Sequence, residues 1–376
     1  MVHDLQFQWC DSIDAIARPD WNRYFRPTSF ARSHAYQVAV EASAPPGVSF
    51  HYLLVRQAGE LQAIIGCASH RRPLLTPFGS HAHRVVRSIR RWSQQSLQVP
   101  VFCVGHRTAM RGHLFGFGTI GSSQRHALLR ASHVPIRARA RQLGCWLTVI
   151  RTIPAAELDI YAPALGDRYV FLESAADAVW HIEATRANDA QIRDVHQLSH
   201  RGRRSAERGL DLSWQVDDGP IDAALAAELE RLFASTQAGR RGERISADTF
   251  QALCNGRSPS FVVLCFAGPR LVGFSLNVEE ADRVCAWYIG IDDPGGRLQL
   301  AGSLLDQIIA NARQRGRARV QLGPNSNCIA DAHGGELEPQ FLAVQVHNRL
   351  LHAFLHRLGA HREPWANERW RALTRR

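Results

Sequence analysis

The stretch Phe261–Gly323 constrains this chain most, because it fixes an order of elements that few folds accommodate. Two apolar runs, Phe261–Phe266 and Leu271–Val278, flank the turn Ala267-Gly268-Pro269-Arg270. Gly and Pro supply turn geometry, so the pair reads as a β-hairpin. A third strand, Arg283–Ile291, follows the acidic tip Glu279-Glu280-Ala281-Asp282. After the Gly/Pro loop Asp292–Gly296, apolar residues recur at Leu300, Leu304, Leu305, Ile308 and Ile309, a helical spacing. Beyond Gly316 the run Ala318–Leu322 reads as a buried strand. An antiparallel hairpin thus gives way to a strand–helix–strand crossover.

The same order occurs earlier in the chain. Phe50–Gln57 and Leu61–Ser69 flank Ala58-Gly59-Glu60 as a second hairpin. His113–Ile120 reads as a strand comparable to Cys285–Ile291. A helix over about Ser123–Leu143 and a buried strand Cys145–Arg151 after Gly144 complete the set, an internal repeat of one supersecondary unit. The first copy carries a longer insertion, Ser69–Arg111, rich in His and Arg; it reads as a solvated basic helix or as an anion-binding loop. Ala31–Ala42 reads as a helix ended by Pro45-Pro46-Gly47. In the second copy, Arg193–Val216 reads as a basic helix leading into a strand, and Leu225–Ala234 and Ala247–Leu253 as helices around the Gly/Arg loop Ser235–Arg244. Gly323–Glu338 reads as a long irregular loop, of a length that is usually functional or mobile. Val344–Leu358 reads as an amphipathic helix and Glu368–Leu373 as a closing strand. The fold class expected is α/β with mixed sheets, in two domains over 1–185 and 186–376.

This order, and the text of the turn and third strand, resembles the core of the GNAT acyltransferase superfamily. It is most similar to the branch holding Fem-type peptidoglycan aminoacyltransferases and the acetyltransferases found beside cellulose and exopolysaccharide genes, which has tandem GNAT-like domains. The resemblance implies an acyltransferase whose donor is acyl-CoA, such as acetyl-CoA, or an aminoacyl-tRNA. The acceptor would be an amine or hydroxyl of a small molecule or glycan precursor, attacked directly with no covalent enzyme intermediate. A GNAT-fold binding protein without activity is the third alternative.

At 376 residues, with 45% apolar residues, the chain can bury two cores. No run is long enough to span a bilayer, and the start lacks a basic-then-apolar leader pattern, so a cytoplasmic protein without membrane insertion is the expectation. The net charge is +11, and every one of the 45 basic residues is arginine. The balance suits an anionic partner such as CoA phosphates, tRNA or an anionic glycan. The absence of lysine follows either from base composition or from handling activated acyl groups, which would modify exposed amines. Eight cysteines without a CxxC pair read as small buried hydrophobes; Cys67, Cys145, Cys265 and Cys285 sit in apolar runs.

Acyl transfer needs a strand edge for the pantetheine, helix N-terminal N–H groups for the pyrophosphate, and groups that move protons. At the helix N-terminus the resemblance implies Arg/Gln-x-x-Gly-x-Gly/Ala. Gln299 and Gly302 fit; Leu304 does not. The candidate cofactor-binding set is therefore Ile289, Gly290, Arg297, Gln299, Gly302 and Ser303. Candidate catalytic residues are Tyr288, as the acid for a thiolate, with Asp292 and His333 as bases. His333-Gly334-Gly335 stands where related families often carry a lysine before a Gly-Ala pair. Trp287, Asn325, Asn327, Arg240 and Arg241 are candidate substrate contacts. Each also has a plainer reading, as core aromatic, loop polar residue or solvated charge. The Gly116-Phe-Gly118-Thr-Ile-Gly121 run is formally GxGxxG but lacks the ribose-binding acid of a dinucleotide site. His352 and His356 share a helical face without a third ligand, so no metal is expected.

Overall fold

The computed structural model describes residues 4–25, 30–44, 46–73, 98–105, 114–182, 212–236, 245–255, 258–292, 297–323 and 333–348. They fall into two compact units. The first lies within Met1–Arg26, Ala31–Ser174 and Pro339–Arg376; the second lies within Pro27–Phe30 and Ala175–Glu338. A single boundary at 185/186 does not describe this division. The chain passes to the second unit inside one strand and returns inside another, because residues after Pro339 pair with a strand of the first unit.

In the first unit the strands are β1 (Leu5–Cys10), β2 (Ser49–Gln57), β3 (Glu60–Pro73), β4 (Gln98–Val104), β5 (Leu114–Gly116) and β6 (Leu147–Pro154). Helices α1 (Arg18–Phe25), α2 (His34–Ala42), α3 (Ser122–Gln142) and α4 (Leu158–Leu165) accompany them. The β2–β3 hairpin turns through Ala58 and Gly59, both at positive φ, the backbone of a primed turn that follows strand twist. The third strand of this copy is β4 rather than His113–Ile120. β3 is long enough to pair with two strands end to end: Ile64–Gly66 with β5 and Cys67–Pro73 with β4. β6 then runs parallel to β4. So part of the segment expected to be an inserted basic helix is a sheet strand.

The strand β13 (Glu336–Val346) belongs to this sheet from Pro339 onward and pairs antiparallel with β6, Val346 against Leu147. This corrects two expectations: Glu336–Glu338 are not loop, and Val344 does not begin a helix. The reason is tertiary. Ala343, Val344 and Val346 are buried beside β6, and an apolar run of that length fits either period. The sheet order is β1-β2-β3-β4-β6-β13. Its core gathers Leu53, Phe102, Leu128, Leu129, Ile136 and Ile150.

The second unit begins within β7 (Val170–His181), a strand the sequence does not announce, and continues with β8 (Leu212–Asp217), α5 (Ala223–Thr236) and α6 (Ala247–Leu253). Then come β9 (Ser260–Ala267), β10 (Arg270–Glu279), β11 (Arg283–Ile291), α7 (Arg297–Gln314) and β12 (Arg319–Leu322). The order is β7-β12-β11-β10-β9-β8. The hairpin, the third strand and the crossover occur where the sequence places them. Gly268, at φ +58, turns the chain, and Pro269 needs no ladder hydrogen bond there. α7 lays Leu304, Leu305, Ile308 and Ala312 on the sheet, each at most 1% exposed. Each buried Leu or Ile there stabilises by about 1.5–3 kcal/mol.

Both long helices end alike. Gly144 and Gly316 each have φ +68. Gly144 N–H donates to Arg141 O and Cys145 N–H to Ala140 O; Gly316 N–H donates to Arg313 O and Arg317 N–H to Ala312 O. These are Schellman motifs, which satisfy the last carbonyls and release the chain into the next strand. The acidic tip proves structural: Glu279 pairs with Arg315 at 2.6 Å and Arg317 at 2.7 Å. Among the described residues Cys67, Cys103, Cys145, Cys254, Cys265 and Cys285 are buried thiols outside any disulfide. No helix among the described residues is long and apolar enough to cross a membrane.

Candidate active site

The site is built from the far end of β11 in the second unit. β12 pairs with β11 only from Arg283 to Ala286 and stops at Leu322, while β11 continues to Ile291. Among the described residues the pairing with β12 ends at Ala286, and Trp287–Ile291 carry β11 beyond it. At the same point β11 bulges. Leu276 of β10 faces Tyr288, and Asn277 faces Ala286, leaving Trp287 as the extra residue. A bulge adds twist and re-aims the chain, as strands often do beside active sites. Beside it, on β10, Ser275 and Asn277 are fully buried and bond to each other at 2.9 Å.

Each predicted residue on this strand has a defined place. Trp287 is 7% exposed, its ring stacked on Phe30 at 6.2 Å. Tyr288 is equally buried, edge-on to Phe233 at 5.4 Å and Phe250 at 5.7 Å, so its ring fixes β11 to α5 and α6. Ile289 packs partly buried against the core under α7. Gly290 is a close-approach glycine: a Cβ there would lie 2.9 Å from the backbone carbon of Leu232 in α5 and would collide with the Phe274 ring. That approach lets Thr236, at the end of α5, accept the Ile291 N–H at 2.6 Å. Helix end and strand end are clamped together.

Asp292 sits between two arginines. Arg270 donates to it, and Arg231 lies 3.4 Å away. Burial alone would push its carboxyl up. The Arg270 hydrogen bond and both guanidinium charges outweigh this and hold it below the usual carboxylate range. It is an ionised anchor that ties the strand end down, poorly matched to a base working near neutrality.

The helix α7 supplies the second part. Its first-turn N–H groups, those of Arg297–Leu300, lack intrahelical acceptors, and the macrodipole makes that end attractive to anions. Gly302 and Ser303 are the sixth and seventh residues of the helix, where the N–H groups bond within it. Gly302 serves a different end. A Cβ on it would lie 2.5 Å from His333 Nε2, so the missing side chain makes room for that imidazole on the second turn of α7. His333 is fixed from the other side as well: Trp180 Nε1 donates to its carbonyl at 3.1 Å, and Gly335 lies against the Trp180 ring. The structure thus brings His333, Gly302 and the start of α7 together.

The side chains of Arg297 and Gln299, and all of Asn325, Asn327, Arg240 and Arg241, lie outside the described residues, as do His352, His356 and Cys328. So do most of the basic segment before β8 and the expected strand Glu368–Leu373. Among the described residues no three His, Cys, Asp or Glu side chains gather as a metal site. Sequence reasoning missed Trp180, Thr236, Phe30 and the Ser275–Asn277 pair. Trp180 stands in β7, which carries no turn signal of its own, and the others act through pairings distant in sequence.

Residues 194–333 match the acetyltransferase (GNAT) domain family. No curated protein matches the chain in sequence. Solved structures resemble it over most of its length. A tandem GNAT protein from the clavulanic acid biosynthesis pathway has a TM-score of 0.54 at 12% identity, covering 92% of this chain and 99% of its own. FemX has a TM-score of 0.53 at 10% identity, covering 93% and 100%. The C-terminal domain of a putative lysylphosphatidylglycerol synthetase from Agrobacterium fabrum has a TM-score of 0.52 at 14% identity, covering 89% and 92%. At such identities the likeness is one of fold. The chain therefore has a tandem GNAT-like fold, within which residues 194–333 match the acetyltransferase (GNAT) domain family.

Proposed function

We propose that the second unit transfers an acyl group from acyl-CoA to an amine or hydroxyl of a small molecule or glycan precursor. The observation that carries this reading is the end of β11 from Trp287 to Ile291, which outruns β12, bulges at its start and shares an apolar cluster with Leu300, Ala301 and Leu304 in the N-terminal half of α7. A pantetheine arm is an amide chain, and the part of β11 that outruns β12 would offer it backbone partners. The first-turn N–H groups of α7 suit its pyrophosphate. Backbone N–H groups at the bulge would hold the thioester oxygen as charge develops on it.

The acceptor nitrogen then attacks the thioester carbonyl carbon. The C–N bond forms, the C–S bond breaks and the thiolate leaves. His333, seated on Gly302, takes the amine proton and returns it to the thiolate, so the enzyme ends unchanged. Tyr288 and Asp292 act as positioning residues, Tyr288 through its aromatic contacts and Asp292 through Arg231 and Arg270. Calorimetric titration with acetyl-CoA and longer acyl-CoAs tests the reading. Binding of a thioester, weakened by introducing an acidic side chain into the first turn of α7, is the expected result. Silence across all thioesters would overturn it.

One observation favours a second donor. Only half of the phosphate-binding pattern is present, and its glycine is used to seat His333. With a net charge of +11, an aminoacyl-tRNA is the alternative. Salt-sensitive tRNA binding without CoA binding would select it.

A further inference from the structure

A second chemical device lies in the first unit, within its own sheet. His51 on β2 bonds Asp11 through Nδ1 at 2.7 Å and Ser69 through Nε2 at 3.2 Å. The three come from separate segments that the strand register aligns. Cys10 pairs with Tyr52, which sets Asp11 beside His51; His51 pairs with Cys67, which puts Ser69 two residues along β3 on the same face. Phe102 of β4 stacks on the imidazole at 5.7 Å and fixes its plane. Arg139 of α3 reaches Asp11 at 2.6 Å.

The protonation pattern follows from these partners. The carboxylate of Asp11, bonded by His51 and by Arg139, is held below its ordinary range. Burial lowers His51 more than Asp11 raises it, so the ring is neutral near pH 7. With an ionised carboxylate at Nδ1, the single ring proton sits there, and Nε2 is left to accept from the Ser69 hydroxyl. A buried histidine needs only one partner on each nitrogen. Here the partner on Nε2 is a half-buried serine, and that on Nδ1 is a carboxylate 64% exposed. The order carboxylate–imidazole–hydroxyl is that of an activated nucleophile, recognised by geometry and not by position in a chain.

We propose that Ser69 is an activated nucleophile toward acyl esters and thioesters, with His51 as its base and Asp11 as the positioning residue. Ser69 Oγ bonds to the acyl carbon while His51 Nε2 takes its proton. The tetrahedral adduct collapses with loss of the alkoxide or thiolate, which receives that proton from His51. Water, deprotonated by the same nitrogen, then bonds to the acyl carbon; the bond to Ser69 Oγ breaks, the acid leaves, and His51 returns the proton to the serine oxygen. The device is separate from the β11 site and does not depend on the donor assigned there.

The test is reaction of the full chain with a fluorophosphonate, in which Ser69 Oγ bonds to phosphorus, fluoride leaves and His51 takes the proton. Peptide mass spectrometry should find the adduct on Ser69. Ser69→Ala should remove it. Asp11→Asn should slow labelling by on the order of 100-fold with melting unchanged, and His51→Gln should slow it by as much in the folded chain. In the wild type, labelling should fall as acid protonates His51, which faces only Asp11 and Arg139 among the described charged groups packed against it. No adduct on Ser69 would overturn the proposal. So would an Asp11→Asn chain that labels at the wild-type rate with the same pH profile. Asp11 is mostly exposed, so this variant decides the matter even if His51→Gln does not fold.

Discussion

The two units repeat one plan and differ at one strand end. Both have a hairpin, a third strand, a long helix closed by a Schellman glycine, and a strand parallel to the third. In the second unit the third strand runs five residues past its parallel partner, from Trp287 to Ile291, and bulges as it does so. In the first unit β4 stops at Val104, its last pair with β6, and Gly105 N–H turns back to Gly66 O. There β6 runs past β4 to Pro154, with β13 paired along its other edge. Among the described residues the plan therefore supplies a scaffold twice and, once, a third strand that outruns its parallel partner. A repeated fold does not imply a repeated site, because the site lives in how far one strand outruns its neighbour.

The comparison breaks most readily at Gly290. Gly290→Ala forces a Cβ against the Leu232 backbone, which cannot step aside as a side chain can. The expected cost is about 1–3 kcal/mol in denaturant unfolding. Acyl transfer should fall by on the order of 100-fold as the strand end shifts. Gly116→Ala, its neighbour in kind in the first unit, meets only the Phe25 ring at 2.8 Å and should leave transfer unchanged. Equal loss of transfer in both variants would mean that the first unit holds part of the site.

Gly302→Ala comes next. Its methyl would occupy the place of His333 Nε2, so the ring must move while the helix stays. The expected result is about a tenfold fall in kcat with acyl-CoA affinity kept, since one proton-transfer group is misplaced. An unchanged kcat would remove His333 from the reaction.

Acid should separate the units. His51, His133 and His347 of the first unit are each pushed below the ordinary histidine value, chiefly by burial, His133 to about 4. Such an imidazole binds its proton more readily in the unfolded chain. Its contribution to stability is complete above the ordinary histidine value, about 6.5, and is lost as pH falls towards the folded value. In the second unit Glu279 and Asp292 are affected by burial, which raises them, and more by their arginines, which hold both below the ordinary range. Their stabilisation is present above the ordinary carboxylate value, about 4, and is lost only as pH falls through the lower folded one. Hydrogen exchange between about pH 6.5 and 4 should therefore show protection falling in the first unit while the second holds. Parallel loss in both would contradict it. The smallest effect is a matched one. Gly144→Ala and Gly316→Ala meet no steric obstacle and differ from the wild type only in forcing alanine to φ +68. Each should cost about 1 kcal/mol, equally if the two caps are equivalent.

Much of the second unit is legible in sequence because its signals are local. Gly268-Pro269, the run Arg283–Ile291 and the spacing from Leu300 to Ile309 each carry their own geometry, and the structure places strand, strand and helix on them. β4 is not legible in this way. Its partner is the far half of β3, and arginine-rich text surrounds it, so only pairing identifies it. β13 is a harder case, since Phe341–Val346 fits a helix or a strand until β6 decides. At the site, the candidates on β11 could be found from order alone. Their roles could not, because those rest on a register slip at Trp287, on the arginines around Asp292, and on a glycine three hundred residues into the chain that makes room for a histidine.

The return of the chain to its first sheet has a consequence in time. As the protein emerges from a ribosome, β6 appears with one edge bare, and the strand that covers it follows on the order of 190 residues later, roughly 10–40 s of synthesis. The first half to be made is thus the last to be finished. Until β13 arrives, the flank of β6 is a docking place for any extended segment, including the same strand of a neighbouring nascent chain.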